Sequence, residues 1–287
     1  MANLKISFFT TCGNRLTHLQ KTLPANIESN LDYQNCEHIV LDYGSTDGIV
    51  EWVKEDLQEY LDTGRLKLYS YDADFFWHNH AKNLAAKHTS EDSDIICSID
   101  SDNYTAESNE GECLASYLNK AFVSKEMFVR ACGWDHAKEL WANDRFERQG
   151  SLYSASGKFA FWRKEFFKMR GFNEFMKGHY YDEEEIWRRA EMCWGFNHVK
   201  LPVEYSQFIN HSNYLRLNNL DPEIVDSDKL LETQNLEFAL QNYMDDGAMD
   251  KYPQAAKNKE ILTYILNDKI KVPNGKYWGT GKPKRIR

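Results

Sequence analysis

The chain has 287 residues, 42% hydrophobic and 14% aromatic, which suits one large α/β domain or a domain with an appendage around a sizeable core. Its 35 Lys and Arg stand against 44 Asp and Glu, a net charge of −9 that disfavours a phosphate polyanion as a general partner. No stretch is long and apolar enough to span a bilayer, MANLKISFF carries no secretory apolar region, and six cysteines show no C-x-x-C spacing, so a reduced, cytoplasmic protein is expected.

Lys5–Thr10 reads as a first strand, ending in the small polar loop Thr11–Arg15. Leu16, Leu19, Leu23 and Ile27 then recur at helical spacing. Glu37–Asp42 is a second strand, broken at Asp42–Gly48. One helix follows, with Ile49, Trp52, Val53, Leu57, Tyr60 and Leu61 on its apolar face and Gly64 as its C-terminal stop. Arg65–Asp72 is a third strand, His80–His88 a short helix, and Ile95–Ile99 a short apolar strand. Such alternation of strands and helices calls for crossover connections and a mainly parallel sheet.

After Asn103 the rhythm changes. Glu112–Val123 reads as a helix, Met127–Cys132 and Lys158–Trp162 as strands, and Gly133–Ser156 as a long polar, aromatic-rich stretch. Tyr181–Trp194 is a helix with Asp182, Glu183, Glu184 and Glu185 in its first turn, where carboxylates complement the helix dipole. His198–Val203 is a last short strand. From about Leu220 the chain reads as helical, with Leu230, Leu231, Leu236, Phe238 and Leu240 as packing residues. Asn274–Arg287 forms a basic tail with Lys276, Lys282, Lys284, Arg285, Arg287 and no acid.

The chain is organised around Asp94–Asn103, DIICSIDSDN. Asp100 and Asp102 stand two residues apart at the end of a buried strand, and so point to the same side. Open α/β sheets bind ligands outside the carboxyl ends of their strands. Two carboxylates there make a hard, anionic site suited to Mg²⁺ or Mn²⁺ carrying a phosphorylated ligand. The competing reading is an ordinary polar turn, for which Asp and Asn are common residues.

Gly44–Gly48 (GSTDG) after a strand, Ala81–Asn83 (AKN) before the central strand and the D-x-D at its end together resemble the nucleotide-binding half of family 2 glycosyltransferases with the GT-A fold. Gly171–Glu174 (GFNE), followed by Asp182–Ile186 with Arg189 behind, resembles a segment shared with β-1,4-galactosyltransferase-like enzymes. The resemblance covers roughly residues 4–212. It implies a Rossmann-like α/β fold, a mainly parallel central sheet flanked by helices. Residues 1–215 would form the transferase domain, with a nucleotide-binding half (1–103) and an acceptor and catalytic half (104–215). Residues 216–287 would form a helical C-terminal extension with the basic tail.

The resemblance also implies roles. Thr10, Thr11 and Arg15 would line the nucleotide, Asp42 would accept from the uracil N–H, and Asp47 would hold its loop. Lys82 stands where the family has Arg and meets phosphate as a point charge, and Asn83 matches the family Asn. Asp100 would contact ribose or metal-bound water, Asp102 the metal, and His211 would be a late metal ligand. Glu183 would be the general base, with Asp182 beside it and Glu184 as the alternative. The implied activity is metal-dependent, inverting transfer of a sugar from a UDP-sugar to an acceptor hydroxyl. Mn²⁺ or Mg²⁺ would stabilise the leaving nucleoside diphosphate.

Two other readings are a sugar-nucleotide pyrophosphorylase and a non-catalytic nucleotide-sugar-binding module. The first expects a Gly-rich basic loop after strand one, which TTCGNRLTHL is not. The intact DSD and Asp182–Glu185 argue against the second. A glycan or lipid-linked glycan is the default acceptor, and the basic tail leaves room for DNA carrying a modified base. Trp134, Trp141, Tyr153, Phe159, Trp162, Tyr180, Tyr181 and Trp187 divide between stacking on sugar or base faces and packing in the core.

Overall fold

The computed structural model describes residues 3–105, 111–131, 157–178, 180–202, 205–209, 221–224 and 253–287. His211, Trp134, Trp141, Tyr153 and the apolar residues Leu230–Leu240 lie outside the described residues. The strands are β1 (Ile6–Cys12), β2 (Cys36–Tyr43), β3 (Leu66–Tyr71), β4 (Ile95–Ser98), β5 (Met127–Ala131), β6 (Phe159–Trp162), β7 (Asn197–Leu201) and β8 (Lys284–Ile286). The helices are α1 (Leu16–Glu28), α2 (Ile49–Asp56), α3 (Gln58–Asp62), α4 (His78–Lys87), α5 (Leu114–Ala121), α6 (Arg163–Lys168), α7 (Asp182–Trp194) and α8 (Pro253–Asn267).

One eight-stranded sheet runs in the order β7-β5-β6-β4-β1-β2-β3-β8. β1, β2, β3 and β4 are mutually parallel, β7 is parallel to β5, and β6 and β8 run antiparallel to their neighbours. Every residue of β1 and β2 is buried, as expected of parallel strands covered on both faces. Their alternation sorts the core. Ile6 and Phe8 pack with Leu114 and Leu118 of α5; Cys12 and Val40 pack with Leu19 and Leu23 of α1; Phe9, Ile39 and Leu41 pack on the other face with Ala81 and Leu84 of α4 and with Ile186 of α7.

The structure moves several boundaries. β1 continues through Thr11 to Cys12, because these residues stay in register with Leu41 and Asp42 of β2. The helix expected from Ile49 to Leu61 breaks at Leu57, whose φ of −123° is not helical. Helix α4 begins two residues early, at His78, which brings that side chain into the first turn. The basic tail folds back onto the edge of the sheet and onto α4 and α6. Lys284–Ile286 pair with Leu68–Ser70 of β3. Trp278 is 7% exposed and meets Phe166 and Phe167 edge-on. Lys87 of α4 lies over its ring at 4.3 Å. The side chain of Asn274 donates to the carbonyls of Arg170 and Phe172, and accepts from the Glu174 N–H.

A buried Trp replaced by Ala costs about 3–5 kcal/mol in a well-packed site. Trp278→Ala is therefore expected to lower stability by about that amount. Chemical denaturation followed by circular dichroism measures it. A loss below about 1 kcal/mol would mean that the tail is not part of the core.

Candidate active site

The strand order 3-2-1-4 reverses between β1 and β4, and at such a switch point the loops after neighbouring strands part to open a crevice. After β4 the chain turns through Asp100–Asn103, closed by the Asn103 N–H donating to the Asp100 carbonyl at 2.9 Å. Helix α1 holds this turn: Thr22 donates to the Ser101 carbonyl at 2.7 Å and Asn26 to that of Asn103 at 2.9 Å. On the other side, Ile209 donates its N–H to the Asp102 carbonyl at 2.7 Å.

Lys82, on the buried face of α4, reaches into the crevice. Its Nζ lies 2.7 Å from Glu183 Oε1 and 3.0 Å from Asp100 Oδ1. The Lys82 side chain is 1% exposed, whereas Asp100 and Glu183 are 25% and 17% exposed and open to the crevice. Burial opposes the ammonium charge, but the two carboxylates outweigh it and hold the lysine above its usual range. His78, one turn earlier on α4, bonds through Nδ1 to Asp182 Oδ2 at 2.5 Å. One ligand atom each from His78, Asp100 and Glu183 lie within 4.8 Å of one another. Gly157 closes the floor. A β-carbon there would stand 1.8 Å from Asp100 Oδ2 and 2.7 Å from Glu183 Oε1, so only glycine leaves these carboxylates in place.

Carboxylate oxygens with an imidazole nitrogen form a donor set that suits Mn²⁺ or Mg²⁺, and the Lys82 ammonium already occupies the position of a cation between two of the donors. The site therefore fits a divalent ion. Asp102 is not one of the three clustered residues. It is buried, and its Oδ1 accepts from Asn103 Nδ2 at 2.7 Å.

The helical rotation of about 100° per residue sorts the acids of α7. Asp182 faces His78 and Glu183 faces Lys82. Glu184 turns outward to Arg188, an i,i+4 pair at 2.6 Å. Glu185 is fully buried against Arg189, also fully buried, whose guanidinium binds both carboxylate oxygens and the carbonyls of Met169 and Gly171. Burial raises the Glu185 carboxyl pKa, and Arg189 opposes that shift.

The loops after β1 and β2 are tied together. Asp47 accepts from the Leu16 N–H at 2.8 Å, capping α1 from the neighbouring loop, while Arg15 occupies the N-cap position without a side-chain cap. Asn14 accepts from the Thr46 N–H at 2.8 Å. Thr10 and Thr11 are buried in β1 rather than displayed on a loop. Asp42 accepts from the Ser45 N–H and the Ser70 hydroxyl; burial raises its pKa and these bonds oppose the rise. Asn83 is fully buried. Its amide accepts from Phe172 N–H and donates to the Phe172 carbonyl and to Glu174, so it joins α4 to the GFNE segment rather than facing the crevice. Gly171 there has φ +65°, and a β-carbon would stand 2.1 Å from Asn83 Oδ1.

His78, Gly157 and Lys158 carry no sequence signal of a site: His78 precedes the helix predicted from His80, and a lone glycine or lysine makes no pattern. Lys158, 1% exposed, donates to the carbonyls of Tyr104 and Tyr205, joining the chain beyond the DSD turn to the 205–209 segment. Burial pulls its pKa down to about 8, against the opposing charges of Cys97, Asp100 and Asp102. Of the expected stacking aromatics, Phe159 lies in the core, Trp162 packs edge-on against Phe122, and Trp187 carries the Arg130 guanidinium at 3.9 Å.

Breaking a buried ion pair by removing one charge costs about 3–5 kcal/mol. Glu185→Gln is expected to destabilise the fold by about that amount, whereas Glu184→Gln on the outer face shifts stability by less than about 0.5 kcal/mol. Denaturant titration of the two variants checks this, and equal stabilities would mean that the Glu185–Arg189 pair is not buried as described.

The fold is shared with solved glycosyltransferases of low sequence identity. The mannosyltransferase PcManGT from Pyrobaculum calidifontis, in complex with GDP-Man and Mn²⁺, aligns at a TM-score of 0.56 and 17% identity, over 91% of this chain and 75% of its own. S. aureus TarS 1–349 aligns at 0.52 and 15% identity, over 92% and 81%. The same TarS fragment in complex with UDP aligns at 0.51 and 14%, over 93% and 88%. No curated protein sequence gives a significant match. The family model for glycosyl transferase family 2 matches residues 7–173, more than half of the chain, from within β1 into the GFNE segment. The chain belongs to glycosyl transferase family 2 and is a glycosyltransferase of GT-A fold.

Proposed function

We propose that this glycosyltransferase moves a sugar from a UDP-sugar to an acceptor hydroxyl, with inversion and with a divalent metal. The observation that carries the reading is the meeting of Asp100, from the end of β4, with Glu183, from the first turn of α7, across a single buried ammonium at the switch-point crevice. The donor-side charges and a candidate base thus share one open space.

In this reading, Asp42 in its buried pocket between Ser45 and Ser70 accepts from the uracil imide, and Thr10, Thr11, Arg15 and the Asp47 loop frame the nucleotide. Asp100 would hold the metal, Mn²⁺ or Mg²⁺, with His78, whose ligand atom lies within 4.8 Å of that of Asp100, and the family resemblance adds Asp102 and His211. When bound, the ion supplies positive charge to the leaving diphosphate. Lys82 offers the same oxygens a point charge. Asn83 acts indirectly, by fixing α4 and hence Lys82. Glu183 takes the proton from the acceptor hydroxyl as that oxygen attacks the anomeric carbon, and a single displacement inverts the centre. Asp182, locked to His78, orients the acceptor beside it.

Both solved relatives described above hold nucleotides, one GDP-Man with Mn²⁺ and the other UDP, so the base identity rests on Asp42. A glycan or lipid-linked glycan remains the proposed acceptor. The exposed cations of the tail lie on β8 and its approach, three strands from β1, and their position lends no support to a DNA acceptor. Among the described residues no helix is long and apolar enough to cross a membrane.

A screen of UDP-sugars with released UDP as readout tests the activity. Glu183→Gln is expected to lower kcat by about 10²–10⁴-fold with donor binding nearly unchanged, and Glu184→Gln by far less. If Glu184→Gln is the inactive variant, the base is misassigned; if none of the neutral variants of Asp182, Glu183, Glu184 and Glu185 loses more than about tenfold, this helix supplies no base. Gly157→Ala is expected to abolish turnover in a folded protein, since it displaces both carboxylates; an active enzyme with ordinary kinetics would refute the crevice geometry. Calorimetric titration with UDP and GDP in Mn²⁺ should favour UDP, and tighter GDP binding would refute the uracil reading.

A further inference from the structure

Helix α7 carries the proposed base, yet its first turn is not fixed by its own sequence. The N-cap residue, Tyr181, supplies no side-chain cap, where Ser, Thr, Asp or Asn would ordinarily serve. Tyr180 and Tyr181 have φ of +79° and +60°, the left-handed region that is costly for a residue with a β-carbon. Two consecutive tyrosines keep such a conformation only where their surroundings over-determine it. Helix α8 supplies those surroundings. Asn258 is fully buried, and its amide nitrogen donates to the carbonyls of Lys177 and Tyr180, both at 2.9 Å. Its Oδ1 accepts from Gln254 Nε2 at 3.0 Å, one turn earlier on α8. The ammonium of Lys259, the next residue, lies 6.0 Å from the centre of the Tyr181 ring. The far end of α7 meets α8 differently: Cys193 Sγ lies 4.0 Å from the carbonyl of Ile265, a buried apolar residue.

We infer that Asn258 is a positioning residue for the transfer reaction. By fixing the left-handed step at Tyr180 and Tyr181, it sets the direction in which α7 starts, and with it the places of Asp182 and Glu183 in the crevice. The inference rests on the reading of Glu183 as the general base. Two carbonyls facing one side chain need a donor with two hydrogens, which an amide has. Aspartate has the same shape but offers only oxygens, so it would set negative charge against both carbonyls. Alanine removes the donor and adds nothing. In either variant the tyrosines are free to relax toward ordinary φ, and the first turn of α7 shifts with them. The loops after β1 and β2 and the turn after β4 are held by α1 instead, so the donor side keeps its shape. A displacement of about 1 Å caused far from the chemistry can cost about 10²-fold in rate. The C-terminal helix thus contributes to catalysis without touching the substrate.

The experiment measures kcat for UDP release from the donor selected by the UDP-sugar screen, together with calorimetric UDP affinity. It compares the intact wild type with Asn258→Asp, Asn258→Ala, Ile265→Val, Glu183→Gln and the combination of Asn258→Ala with Glu183→Gln. Asn258→Ala is expected to lower kcat about 10–10²-fold, and Asn258→Asp at least as much, with UDP affinity within about threefold of wild type. Ile265→Val, which loosens the packing at the far end of α7, should keep kcat within about threefold of wild type. Because Asn258 acts through Glu183, the combined variant should be about as slow as Glu183→Gln alone, whereas independent effects would multiply. The inference is overturned if folded Asn258→Ala keeps kcat within about threefold of wild type, if Ile265→Val loses as much, or if the losses multiply in the combined variant. It is also overturned if neither Asn258 variant folds, which would make the residue a requirement of the fold instead. A fully active Glu183→Gln enzyme would remove the base reading and this inference together. An impaired Glu183→Gln beside unimpaired Asn258 variants would remove this inference alone.

Discussion

A buried ammonium between two carboxylates is the constraint on which this crevice depends. Lys82 reaches it from α4, Asp100 from the sheet and Glu183 from α7, so one charge links three elements distant in sequence. An unpaired lysine at 1% exposure would be costly, and two mutually repelling carboxylates would drift apart without it. Their attraction persists only while all three backbones hold position. The surrounding structure is arranged accordingly: Gly157 leaves no room for a side chain beneath Asp100 and Glu183, and His78 secures the neighbouring Asp182.

Helix α4 must therefore be held rigidly, and its polar residues show how. Asn83 bonds the Phe172 backbone in both directions, and Asn79 donates to the Asn173 carbonyl. Glu174 accepts from Asn83 and from the Gly279 N–H. His80 bonds the Tyr43 hydroxyl through one ring nitrogen and the Thr280 carbonyl through the other. The GFNE segment is thus the junction between α4 and the returning C-terminal tail, and Asn274 completes the junction from the tail side. A segment that reads in sequence as a basic appendage is a strap across the helix that carries Lys82. Its exposed cations on β8 suit an edge strand, where charge discourages pairing with another chain.

The DSD turn is supported just as closely. Thr22 and Asn26 of α1 bind the carbonyls of Ser101 and Asn103, and Lys158 joins Tyr104 to Tyr205 from below. Asp47 caps α1 from the loop after β2, so the loops after β1 and β2 and the turn are tied to the same helix. Site carboxylates held by fixed partners lose little freedom on meeting a ligand, which is the physical basis of preorganisation.

Much of this could be read from residues alone, because hydrophobic periodicity is a local property. The buried runs of β1, β2 and β4, the Leu16–Ile27 face and the polar breaks at strand ends follow from side-chain spacing, and with the GSTDG, AKN, DSD and GFNE order they identified the fold class and the family. The four acids of α7 were visible as a group, but their division into an outward Glu184, a structural Glu185 and the crevice-facing Asp182 and Glu183 needed the packed helix, since only its neighbours say which face is inside. That Asn83 joins α4 to the GFNE segment is a matter of packing that spacing does not show. Thr11 proved to be strand, and His78, Gly157 and Lys158 had no pattern to mark them. The sequence by itself determined the main buried runs and the order in which strands and helices alternate. Only the tertiary structure decided which charges meet, because Lys82, Asp100 and Glu183 are separated by up to 101 positions and electrostatic contact depends on distance in space.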